Sequence, residues 1–306
     1  MRLKKILTLC AGSLGLSLTA SADIKLNAIF TDHMVLQRDI GANIFGTGDN
    51  GEKVTVTLNG KSASAVTKDG KWFVKLPPMK AGGPYKLTVS GKNTITTENV
   101  LLGDVWLCTG QSNMDFNMSQ FLGPKSGKVG KQYAQIIKDS TKDKVRVAVI
   151  AKQFPRTPIA ELKIEDSFDN TWQVPSNKIT PLTSAVGYVF GKQLSEHLSV
   201  PIGLIDANKG GTPVETWMSG ASLKSIGAKA GKSGYNGMIA PLHQLAIKGV
   251  IWYQGENNAR TVTSSLAYAK KFKMMISDWR AAWGQGDFPF LYVQLAGYAK
   301  TKGTNT

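Results

Sequence analysis

Cysteine, histidine and long apolar runs are all scarce in this chain, and each scarcity closes off a class of function. There are two cysteines, Cys10 and Cys108, and three histidines, His33, His197 and His243, among 306 residues. Residues so widely separated give no ligand spacing of the zinc type, so no metal site is expected. No apolar run reaches the roughly 20 residues that span a bilayer, so no membrane span is expected. Acidic residues are outnumbered 21 to 37, for a formal net charge of +16. The basic residues are scattered rather than clustered, which favours a solvated basic surface or acidic glycans over nucleic acid as a partner. A phosphate cradle is missing too: Gly210 and Gly211 are not followed by a Lys-Ser/Thr pair at Walker spacing.

What is present begins with MRLKKILTLCAGSLGLSLTASA, residues 1–22, in which Arg2, Lys4 and Lys5 precede an apolar run from Ile6 to Leu18 and an Ala20-Ser21-Ala22 ending. This reads as a cleaved signal peptide, giving a protein that starts near Asp23 and works in the periplasm or outside the cell. A lipid anchor at Cys10 is disfavoured because Leu9 stands where such signals want a small residue. Removing the leader leaves Cys108 as the single cysteine, so no internal disulfide can form. It also takes three of the 37 basic residues, leaving 34 against 21, or +13.

Two rhythms follow. From Ile24 to about Val100, short alternating runs (VTVTLNG, WFVKLPP, YKLTVSG, TITTENV) are separated by Gly, Asn and Asp. They predict an antiparallel β-sandwich over residues 23–100, with Asn59-Gly60 and Asp69-Gly70 as hairpin-type turns. After Gly103, apolar runs (VWLC, VRVAVI, IGLIDAN, GVIWYQG, FLYVQLA) alternate with helical stretches such as AVGYVFGKQLSEHL and SSLAYAKKFKMMISDWRAAWG. In the latter, Leu266, Phe272, Met275, Ile276 and Trp279 recur at near-helical spacing. This alternation predicts an α/β domain over 101–306 with a parallel sheet, whose function gathers at the carboxyl ends of its strands. The Gly/Lys-rich stretch at residues 123–131 reads as a loose segment, and no internal repeat is present.

Three strand ends carry the polar residues that chemistry needs. Ser112 follows VWLC after Thr109-Gly110-Gln111, where a helix amino terminus just beyond would aim N–H groups at a ligand; the bland alternative is a helix cap. NKGGTPVETW, residues 208–217, follows IGLID and offers Gly210 and Gly211 as close backbone donors. WYQGENNA, residues 252–259, sets Gln254, Glu256, Asn257 and Asn258 at a third strand end. Together they have the layout of a hydrolase that stabilises an oxyanion. Trp217, Trp252 and Tyr253 could stack on sugar rings, although core packing is the simpler role.

The segments GQSNM (110–114), GGTPVETWMS (210–219) and IKGVIWYQGENNA (247–259), with the opening IFTDHMVLQRD (29–39), resemble the sialate O-acetylesterase family of the SGNH hydrolase superfamily. The resemblance covers essentially all of residues 23–306. It implies a flavodoxin-like SGNH α/β/α domain, no cofactor, and a substrate that is sialic acid or another acetylated glycan; related members act on acetylated xylan. Carried over by position, Ser112 is the nucleophile. Its N–H, the Gly211 N–H and a side-chain amide hold the oxyanion. That amide is Asn258 by similarity to G-E-S-N, although Asn257 stands beside it. Gln111, Asn113, Gln254, Glu256 and Asn257 then bind substrate or fix the loops.

The chain departs from that pattern in its base. Family members take it from a D-x-x-H near the carboxyl terminus, whereas the residues three before His33, His197 and His243 are Phe30, Leu194 and Ala240. No catalytic His/Asp pair is therefore identified in this chain. His33 is expected in a structural hydrogen bond, His197 at a helix end and His243 in a loop, with His243 the nearest substitute base. The expectation is a domain incomplete at its C-terminal end, active as an esterase or retained as a glycan-binding fragment.

Overall fold

The computed structural model describes residues 23–297, so the leader at 1–22 lies outside the described residues. Strands are β1 (Lys25–Leu26), β2 (Val35–Gln37), β3 (Asn43–Thr47), β4 (Lys53–Leu58), β5 (Lys61–Val66), β6 (Lys71–Lys75), β7 (Gly82–Ser90), β8 (Thr94–Gly110), β9 (Val145–Val149), β10 (Ile202–Asn208), β11 (Gly249–Tyr253) and β12 (Phe290–Tyr292). The α-helices are α1 (Ser112–Asp115), α2 (Gly127–Asp139), α3 (Ala185–Leu198), α4 (Gly220–Ser225) and α5 (Val262–Trp283). The result is a mixed α/β molecule with one long curled sheet and a separate small one.

The first part follows its alternating pattern. β4 pairs antiparallel with β5 and β7, and β1-β3-β6 form the small sheet. The Asn59-Gly60 turn joins β4 to β5 with both residues at positive φ, and Asp69-Gly70 repeats that geometry. Asn and Asp tolerate this region and Gly has no Cβ to clash in it.

β8 joins the two parts. It runs 17 residues without a break through the expected boundary at residue 100. Its first half pairs antiparallel with β7 and parallel with β2, and its second half pairs parallel with β10 and β11. At the changeover Arg38 donates to both oxygens of the buried Asp104, each at 2.9 Å, while Gln37 binds Asp104 Oδ1 and the Val105 N–H. A buried carboxylate held by three donors at the point where partners change gives the joint a single geometry.

Parallel strands stand in the order β9-β10-β8-β11-β12. A flavodoxin-like order would put the first and second strands of the domain side by side. Here β10, wholly buried and matched to β8 over seven residues, lies between them. Helices α3 and α5 fall where their patterns predict. The loose segment at 123–131 instead starts α2 at Gly127: its lysines lie on the outer face, and Gly130 is buried where a Cβ would meet Phe121 O at 2.7 Å. α5 buries Met275, Trp279 and Trp283, while Leu266, in its first turns, is 73% exposed. FLYVQLA yields only the three residues of β12, where Leu291 and Tyr292 are exposed. No helix among the described residues is long and apolar enough to cross a membrane.

Candidate active site

The carboxyl ends of β8, β10 and β11 meet because the register sets Asn208 and Tyr253 on either side of Gly110. Gly110 has φ +141°, and a Cβ there would lie 2.1 Å from Tyr253 O. Only glycine lets β8 leave the sheet at this point. The next N–H, from Gln111, donates to that same Tyr253 carbonyl at 2.9 Å. Ser112 then opens α1, a single turn, so what it brings is individual N–H groups rather than a helix dipole.

Ser112 is half-buried, and among the described residues neither its Oγ nor its N–H has a hydrogen-bond partner. Gly211, at φ +75° and exposed, also keeps a free N–H by the same measure. Gly210 lies closest: a Cβ on it would be 3.6 Å from both Cα and Cβ of Ser112. Its N–H is already given to Asp115 Oδ2 at 2.8 Å. The backbone donors left free at these two turns, among the described residues, are those of Ser112 and Gly211.

The third strand end forms a dense brace. Gln254, buried, donates to Gln111 Oε1 and Thr212 O at 3.1 Å and to Asn258 Oδ1 at 2.9 Å. Asn258 Oδ1 also accepts the Val214 N–H at 2.9 Å, and its Nδ2 donates to Glu215 Oε2 at 2.9 Å. The amide group expected to face the ester therefore spends one hydrogen on Glu215. Asn257 Nδ2 donates to Gly211 O, and Asn113 Nδ2 donates to Glu256 Oε1 at 2.5 Å. Burial alone would raise the Glu215 carboxyl, but hydrogen bonds from Lys271 and Asn258 outweigh it and hold the group below its usual range.

No histidine reaches Ser112 in the described residues. His33 Nδ1 bonds Asn99 at 2.8 Å, and His197 is exposed in the last turn of α3, as expected of both. His243 packs between Tyr235 and Trp283 before β11 begins, at the amino end of the sheet, which removes it as a substitute base for Ser112. Burial pushes its ring down to about 4, against the pull of Asp278. Trp217 and Trp252 are fully buried against each other and belong to the core; Tyr253 is half-buried. Nor do the described residues contain three or more His, Cys, Asp or Glu grouped to hold a metal ion.

Five charged groups of the site went unassigned in the sequence. Asp115 takes the Gly210 N–H and pairs with Lys152 at 2.6 Å, and Glu215 pairs with Lys271. Asp206 is buried in β10, where its carboxyl accepts the Ser184 N–H at 3.2 Å and an amide N–H from Asn208. Burial raises it to about 7, with the Asp115 charge adding to the rise. An Asp inside the otherwise apolar IGLIDAN was the available signal. Asp115 and Lys152 offered none, because their partners lie far off in sequence. Asp115, Lys152, Ser184 and Asp206 line a cavity of about 290 Å³, which also reaches Asn208 at the end of β10. A larger one of about 440 Å³ lies between β1, β3, β6 and residues 240–244, away from this chemistry, so size does not mark the site.

Residues 102–306 match the family described as carbohydrate esterase, sialic acid-specific acetylesterase. A human sialate O-acetylesterase is 34% identical over 94% of this chain and 60% of its own length, and a rat sialate O-acetylesterase 31% identical over 91% and 61%. A solved carbohydrate acetylesterase of Xanthomonas citri superposes with TM-score 0.79 at 35% identity, over 89% of this chain and 60% of that one. The chain thus spans about 60% of the length of the relatives it matches. Family match, identity and superposition agree, and the chain belongs to the sialic acid-specific acetylesterase family of carbohydrate esterases.

Proposed function

We propose that the chain supports hydrolysis of O-acetyl groups on sialic acid or related acetylated sugars, with Ser112 as nucleophile. In this reading residues 101–306 are an SGNH-type α/β/α domain, residues 23–100 an accessory β-sandwich, and the leader at 1–22 directs export. The observation that supports it is that Gly210 lies against Ser112 while, among the described residues, the Ser112 hydroxyl and the N–H groups of Ser112 and Gly211 have no partner. The hydroxyl attacks the acetyl carbonyl, and the negative charge that grows on the carbonyl oxygen meets donors fixed before substrate arrives. Each such donor is worth about 3 kcal/mol in a desolvated site. The sugar hydroxyl leaves, and water releases acetate from the acetyl-serine.

Attack also needs a base to take the serine proton. The unpartnered Ser112 Oγ favours a second reading, in which the pocket binds acetylated glycan with negligible turnover. Acetate release from O-acetylated sialic acid, acetylated xylan and 4-nitrophenyl acetate separates the two. The esterase reading expects release that Ser112→Ala lowers by at least about 1,000-fold. If both folded proteins are inert while an acetylated sugar raises their Tm, the binding reading replaces it.

A further inference from the structure

Building on the esterase reading, we propose that Asp115 is a positioning residue, whose carboxylate locks the Gly210-Gly211 turn onto the turn that carries Ser112. The two glycines need this because neither has a side chain to pack and Gly211 sits at φ +75°. Three consecutive residues of the loop are pinned by three different neighbours. The Lys209 N–H donates to Gly110 O at 3.2 Å, the Gly210 N–H to Asp115 Oδ2 at 2.8 Å, and Gly211 O accepts from Asn257. The N–H left over is that of Gly211.

Asp115 suits the task because its own N–H donates to Gln111 O at 2.9 Å, within the same turn as Ser112. Its other oxygen is held by Lys152 Nζ at 2.6 Å, so the carboxylate has one orientation. An ion pair exposed to the degree of this one, 36% and 23%, contributes little stability by itself. Its effect is geometric: it fixes the acceptor that fixes Gly210, and so sets the separation between the serine hydroxyl and the Gly211 N–H.

The test uses the full chain and three substitutions, reading kcat and KM on 4-nitrophenyl acetate and amide hydrogen exchange over residues 206–214. Asp115→Ala removes the acceptor and is expected to lower kcat about 30-fold with KM within about 2-fold. Exchange at Gly210 and Gly211 should quicken about 10-fold. Asp115→Asn keeps an acceptor oxygen without the charge and should recover both readouts to within about 3-fold. Asp115→Glu keeps the charge and moves the acceptor, so it should behave like Asp115→Ala. It also decides the matter if the alanine variant does not fold. Unchanged kcat and exchange in Asp115→Glu, or an asparagine variant as impaired as the alanine one, overturns the proposal. If the unsubstituted chain releases no acetate, the esterase reading fails separately, and the exchange of Asp115→Glu against Asp115→Asn still decides whether Asp115 holds the loop.

Discussion

Asn258 and Ser112 stand at the ends of neighbouring strands, yet one is buried with both side-chain polar atoms engaged and the other is half-buried with a hydroxyl that has no partner among the described residues. The difference follows from the work each side does. The loops after β10 and β11 are cross-braced by Gln254, Asn258 and Glu215, which on the proposed esterase reading sets backbone donors in place before charge develops. On the proposed esterase reading, a nucleophile must stay accessible and carry a proton that can leave, which suits a Ser112 hydroxyl that is not tied into that brace. The prediction is that stability resides in the brace and the strand ends beneath it, and reactivity in a residue that adds almost nothing to stability.

The largest effect should come from Gly110→Ala, which attacks the common base of both sides. The new Cβ meets Tyr253 O at 2.1 Å and sits at φ +141°, so β8 and β11 must part. Strain and overpacking together are expected to cost about 4 kcal/mol, read from urea midpoints. Asp206→Asn should come next, with a sign set by pH. The folded carboxyl titrates near 7 and the unfolded one near 3.8, so between those values the native state holds the extra proton and loses stability as pH rises. The substitution removes a slope of about 4 kcal/mol across that window. His243 works in the opposite sense, since its folded value of about 4 lies below 6.5 and stability rises with pH between them. His243→Phe should erase a gain of about 3 kcal/mol across that window.

Asn258→Ala tests the brace itself. It strands the Val214 N–H and removes an acceptor from Gln254, both buried. A cost of about 2 kcal/mol is expected, with faster exchange at Val214 as the local reporter. A neutral result would mean that the loops are held by backbone alone.

The brace was legible in the sequence as residue types, because Gln254, Glu256, Asn257 and Asn258 cluster after an apolar run and Gly210-Gly211 follow another. Their wiring was not, since a motif gives spacing along the chain and Gln254 finds Gln111 across 143 positions. The same reason hid Asp115, whose partners Lys152 and Gly210 lie 37 and 95 residues away. Alternation predicted β4, β6 and β7 and helical spacing predicted α3, because in each the buried face is continuous. At β8 both guides found the ends, TITTENV and VWLC, but not the continuity, because residues 100–110 are buried on every side and period 2 disappears while the strand goes on. The helical spacing that includes Leu266 does fall in α5, although Leu266 itself is exposed, its turn lying beyond the core that Met275 and Trp279 fill.

The smallest stability effect expected is that of Ser112→Ala, and it sharpens the comparison most. Ser112 Oγ makes no hydrogen bond with the described residues, so its loss frees no buried partner and leaves no charge unpaired. Alanine is also a good helix former for the first position of α1. Stability should stay within about 0.5 kcal/mol of the unsubstituted chain, as for a surface position without structural ties. If the variant were instead destabilised as much as Asn258→Ala, the hydroxyl would be part of the brace. The division between a rigid donor side and a free nucleophile would then be wrong, whatever the assay for acetate reported.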